Sequence, residues 1–128
     1  MPTLPWITVA VPAEASEVIV MASRFRVRGF RHVLSFFMDA MRVYAQMRKA
    51  EGAVGLSLVA HPLRREFATL SAWRDRASLD AAVRAEPHHS VIGRQRGVMA
   101  ESTFRFWTVP ASEIPLDWAD AQRRLAAA

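Results

Sequence analysis

Stretches with strand and helix periodicity follow one another as strand, helix, strand, strand, helix, strand. This order predicts an α+β fold of the ferredoxin-like βαββαβ type, with an antiparallel sheet covered by helices on one face. Two further observations narrow the expectation. The chain has 128 residues, 52% of them hydrophobic, which suits one core and one domain over residues 1–128. The strands also carry bulky apolar groups at both parities, so both faces of the sheet need a cover, and a single layer of helices supplies only one. A second copy of the chain is the simplest second cover, which predicts a homodimer.

Residues 1–16 contain Pro2, Pro5 and Pro12 around Trp6, Ile7, Val9 and Val11, and read as an extended arm, either an extra edge strand or a loose end. The core is expected over 18–109. Within VIVMASRFRVR, Ser23, Phe25 and Val27 alternate with Arg24, Arg26 and Arg28, the period of a strand. After Gly29, Val33, Phe36, Phe37, Ala40, Met41, Tyr44 and Met47 recur at helical spacing, leaving Asp39, Arg42, Gln46 and Lys49 on the other side. Gly52 is the expected stop, since glycine suits the left-handed position after a helix.

GLSLVAH (55–61) and FATLSAW (67–73), separated by Pro62 to Glu66, predict a hairpin with a polar turn. Asp75 and Ser78 open a second helical unit that Pro87 splits in two. TFRFWTV (103–109) is the closing strand, with Phe104 and Phe106 on one side and Trp107 on the other. A last short helix, over 115–126, starts at an Asp117 cap.

Composition excludes several chemistries. The chain has no cysteine, so it has no disulfide, thiolate metal site or cysteine nucleophile. Lys and Arg outnumber Asp and Glu by 17 to 12, but the basic residues are spread from Arg24 to Arg124 and make no nucleic-acid stripe. The N-terminal sequence has no basic leader, and no apolar stretch approaches a membrane span, so a soluble cytoplasmic protein without a membrane partner is expected. His32, His61, His88 and His89 lack the spacing of a metal motif, and neither Ser57 nor Ser71 sits in a nucleophile elbow.

His88 and His89 point about 100° apart on a helix, so at most one of them serves a given small site, as a base or as a ligand. His61 with Arg64 and Arg65 combines groups able to hold a carboxylate. Arg24, Arg26 and Arg28 would form a positive row on one sheet face, which needs acidic partners, an anionic ligand or water. Trp73, Phe104, Phe106 and Trp107 supply flat apolar surface, as core or as the wall of a ligand site.

The segment PLRREFATLSAWRDRASLDAAVRAEPHHSVI (62–92), preceded by a helix leading into GAVGLSLVA, resembles the antibiotic biosynthesis monooxygenase superfamily and its spheroidene monooxygenase-like relatives. The likeness runs over roughly 18–109. It implies a dimeric α+β barrel and a monooxygenase-like protein acting on a flat hydrophobic molecule, polyketide-like or carotenoid-like. His88 or His89 would take the proton, an arginine would stabilise the enolate, and Trp73, His61, Arg64, Arg65, Arg24, Phe104 and Phe106 would contact the ligand. The cofactor would be none or heme, with a histidine as axial ligand. A heme-binding or noncatalytic ligand-binding homodimer is the alternative. The chain contains no asparagine, which moves weight toward that alternative; at the helical position after Trp73 where heme degraders carry their tryptophan it has Ala82, a departure from their pattern.

Overall fold

The computed structural model describes residues 3–127; Met1 and Pro2 of the arm lie outside the described residues. The chain runs β1 (Thr3–Thr8), β2 (Glu17–Val27), α1 (Val33–Arg48), β3 (Ala53–His61), β4 (Glu66–Trp73), α2 (Arg76–Arg84), α3 (His88–Gln95), β5 (Met99–Pro110) and α4 (Trp118–Ala126). The five strands form one sheet in the order β1-β3-β4-β2-β5, with every neighbouring pair antiparallel. The predicted arm is thus an edge strand, paired through Leu4 with Leu58 and through Ile7 with Leu56.

Its seat depends on Gly55. A Cβ there would lie 2.2 Å from the Trp6 ring and 2.6 Å from the Ile7 carbonyl, so only glycine lets β1 close on β3 at this point. Gly52 takes its left-handed φ of 85° in the turn that leads into β3, rather than at the cap of α1, which is Lys49. The split of the second helical unit falls at Pro87 as expected, and Asp75 caps α2 by accepting from the Ser78 amide at 2.8 Å.

Strand parity divides the core in two. Ile19, Met21, Trp73 and Leu56 face Met47 and Tyr44 of α1 and Leu79 and Ala82 of α2. Phe25, Val27, Ala60 and Phe67 continue that face under Phe36 and Phe37. On the reverse face, Val18, Val20, Ala22, Leu70, Ala72 and Val109 meet Ala121 and Leu125 of α4, with Trp6, Trp107 and Trp118 around them.

The C-terminal helix therefore crosses to the far side of the sheet. Trp118 Nε1 donates to Ser57 Oγ at 2.9 Å, and Ser57 Oγ donates to the Leu4 carbonyl at 2.7 Å, tying α4, β3 and β1 together. The reverse face is thereby covered over its Val18, Val20 and Leu70 core by the chain's own C-terminal helix, so that part of the sheet needs no second subunit as a cover.

Candidate functional site

On β5, Phe104 and Phe106 point to the α1–α2 side and stay 45% and 43% exposed. Phe104 stands edge-on to Phe25 at 5.5 Å, and Phe25 in turn contacts Phe36 of α1 at 5.8 Å. The Arg76 guanidinium lies 4.4 Å over the Phe106 ring and is steadied by Asp80 Oδ1 at 3.1 Å. The result is an open aromatic shelf with a fixed cation at one end, suited to a flat apolar molecule that carries a negative oxygen.

Trp73 lies on the same sheet face but contributes no surface to the shelf. It is 1% exposed, wedged among Leu79, Ala82, Met47 and Leu56, and its Nε1 donates to Ser71 Oγ at 2.9 Å.

His88 and His89 occupy different environments, as their spacing predicts. His89 is exposed. His88 is half-buried where α1, α2 and α3 meet, and its Nδ1 is sealed from solvent without a partner. Burial pushes the imidazole below its ordinary value, the Val83 carbonyl opposes that shift, and the charge of His89 adds to it.

Gln46 organises this junction. Its Nε2 donates to the Ala82 carbonyl at 2.9 Å, and its Oε1 accepts from the His88 amide at 2.8 Å. Two cavities stand out, one of about 330 Å³ and one of about 640 Å³, and neither is lined by His88 or His89. His88 Nδ1, sealed from solvent, offers no open face to a heme iron. Among the described residues, no group of three or more His, Asp or Glu is placed to hold a metal ion.

Asp39 corrects the reading of α1 as having Asp39 on its outer side, because α3 packs over that side. Asp39 is 4% exposed, accepts from Arg94 at 2.9 and 3.2 Å, from Gln95 at 2.7 Å and from Arg42 at 3.3 Å. Burial alone would raise its carboxyl; the bonds from Arg94 and Gln95 outweigh that and hold it below the ordinary carboxylate range. A lowered folded-state value stabilises the fold above the unfolded value and is lost as pH falls through the folded one. Asp39→Asn is expected to cost about 1.5–3 kcal/mol in urea unfolding near neutral pH. The penalty should shrink as the native carboxyl is protonated in acid, and an equal penalty at every pH would contradict this assignment.

The remaining candidates lie on the reverse face or in the hairpin turn. The pairing register sets His61, Glu66, Arg26 and Glu101 in one cross-strand row, with Arg24 in the next row between Ala68 and Thr103. Arg26 Nη2 pairs with Glu101 Oε1 at 2.5 Å, and Arg24, Arg26, Glu66 and Glu101 line the smaller cavity. Arg28 is not part of the row: β2 ends at Val27, and Arg28 Nε donates to the Gly97 carbonyl at 3.1 Å. Arg65, at a left-handed φ of 58°, donates to the Arg28 carbonyl at 2.7 Å and covers the Phe30 ring. Arg64 is exposed in the turn. The sheet thus separates Arg24 and the His61 row from Trp73, Phe104, Phe106 and His88. Arg76, Gln46 and the Asp39 cluster were not singled out from sequence; only the i, i+4 spacing of Arg76 and Asp80 signals a fixed guanidinium.

No helix among the described residues is long and apolar enough to cross a membrane. No protein-family profile and no curated protein matches the chain. Solved structures do. The chain is similar to SnoaB, a cofactor-independent oxygenase from Streptomyces nogalater, with 17% identity over 73% of this chain and 94% of that one, at a TM-score of 0.62. It is similar to a structure described as an antibiotic biosynthesis monooxygenase, with 12% identity over 70% of this chain and 95% of that one, at 0.63. A conserved protein from Methanosarcina mazei matches with 16% identity over 73% and 93%, at 0.64. Identities this low speak for architecture alone, and in architecture this chain has the ferredoxin-like α+β fold of the antibiotic biosynthesis monooxygenases.

Proposed function

We propose that this is a monooxygenase-like protein that takes a flat hydrophobic small molecule, polyketide-like or carotenoid-like, on the Phe104 and Phe106 shelf, and that it works as a homodimer. The observation that carries the reading is the pair of exposed rings with Arg76 fixed over one of them. Aromatic faces bind a planar ligand by offset stacking, and a neighbouring guanidinium favours the enolate that dioxygen must meet. The proton lost in forming that enolate passes to a base of the solvent, so the reading does not rest on a histidine: His88 Nδ1 is sealed and His89 faces solvent. The fold shared with a cofactor-independent oxygenase supports dioxygen chemistry of this kind.

The test is dioxygen uptake with an anthrone-type tricyclic phenol, beside ligand binding followed by tryptophan fluorescence. Uptake above the protein-free rate is expected. Phe106→Ala should weaken binding roughly tenfold, about 1.4 kcal/mol. Binding without uptake would leave a noncatalytic ligand-binding homodimer of the same fold, and no binding would remove the shelf as a site.

A further inference from the structure

Four large apolar side chains stand out from the core where α1 begins. Phe30, Leu34, Met38 and Leu63 are between 51% and 90% exposed. Phe30 sits in the short 3-10 turn that leads into α1, and Leu34 and Met38 follow at intervals of four residues, so the three share one outer side. Leu63 comes from the turn between β3 and β4. Arg65 of that turn holds it beside Phe30: its guanidinium covers the ring at 5.4 Å and its Nη1 donates to the Arg28 carbonyl.

The charges around these side chains have one sign. Arg28, Arg31, Arg64 and Arg65 lie among them, and residues 28–38 and 61–65 contain no Asp or Glu. The flanking carboxylates are turned away, since Asp39 is buried under Arg94 and Glu66 lies in the Arg26 row of the reverse face. Among the described residues none of these four arginines makes an ion pair. Arg28 and Arg65 donate to backbone carbonyls instead, and Arg31 to the His32 ring at 3.3 Å. Protruding apolar groups set among cations without counter-charges mark a surface that meets a partner.

We infer that this end of the protein docks on an anionic lipid surface, with Phe30, Leu34, Met38 and Leu63 entering the interfacial layer and the arginines meeting lipid phosphates. The apolar tips gain by leaving water, and a guanidinium fork matches phosphate geometry while its stem lies along apolar surface. A second copy of the chain is a poor occupant, because a symmetric contact through this patch sets arginines against arginines. A peptide or helix needs a groove to lie in, and neither of the two cavities is lined by any of these residues. The contact is with a surface only. The lack of a spanning stretch bears on crossing a membrane, not on docking against one. The inference is independent of the oxygenase reading.

Co-sedimentation of the full chain with vesicles tests it. The chain should pellet with vesicles that contain phosphatidylglycerol, much less with phosphatidylcholine alone, and raised salt should release it. Arg64→Gln should weaken binding to the phosphatidylglycerol vesicles about fivefold, the effect of one basic residue near such a surface. Leu63→Ser should weaken it about tenfold, the lower end of what burying such a side chain contributes. Both residues are exposed in the turn, so both variants should melt where the parent does. Absence of pelleting with phosphatidylglycerol vesicles, or equal pelleting of the parent and both variants, would overturn the inference. So would a Leu34→Glu variant that lowers the light-scattering mass of a chain that binds no vesicles, which would make the patch a contact between copies.

Discussion

Trp73→Ala is expected to cost about 3–5 kcal/mol of stability, the range for truncating a buried large aromatic, and to lower the urea midpoint without changing the m-value. Trp73 ends β4 at the point where α1 and α2 converge, against Met47, Leu79 and Ala82. Its loss leaves a void bounded on one side by the sheet and on the other by two helices held in place elsewhere, so collapse around it is restricted. Ser71 also loses the donor that satisfies its hydroxyl. Dioxygen uptake on the Phe106 shelf should persist at temperatures where the variant is folded. A small stability change together with a large loss of ligand binding would instead make Trp73 part of the site.

The order of elements was legible because each carries its own period: two residues in β2 and β5, three to four in α1, and turn residues between β3 and β4. Strand parity was legible too, and it placed Phe104 and Phe106 together with Trp107 opposite them. What the periodicity does not carry is which element covers which face. Ala121 and Leu125 are one helical turn apart and define an apolar stripe on α4, but that stripe fits either side of a sheet. Only the three-dimensional position of Ser57 and Val18 shows that it takes the reverse side.

Asp39 was misread for the same reason. A carboxylate on the polar side of an amphipathic helix belongs in water unless another helix arrives with donors. Here Arg94 and Gln95 arrive from α3, which lies two strands and another helix further along the chain. The candidate ligand residues were the right chemical types, but parity sends Arg24 and Trp73 to opposite sides of one sheet, and no local pattern states that a site uses a single side. Arg76 reaches Phe106 only through the fold, since the two sit in elements separated by α3.

Shortening the chain so that it ends before Trp118 is expected to remove α4 as a cover and to turn the reverse face into an exposed apolar surface. Val18, Val20, Leu70, Ala72 and Val109 pack against Ala121 and Leu125, with Trp107 beneath the Arg124 guanidinium at 4.4 Å. Each fully buried large side chain is worth about 1.5–3 kcal/mol, so losing Leu125 and the contacts around it should cost on the order of 5 kcal/mol, comparable with the whole stability of a small domain. The shortened chain should then do what two apolar sheet faces demand: associate through the bared face, with a light-scattering mass that rises with concentration, and bind a hydrophobic dye the full chain excludes. A shortened chain as stable and as dye-silent as the parent would show that the strands on this side are not held by α4. Leu125→Ala is the milder form of the same experiment, with an expected loss of about 2–5 kcal/mol. Its stripe partner Ala121 offers almost no side chain to lose, so the two positions together separate the helix's packing from its mere presence.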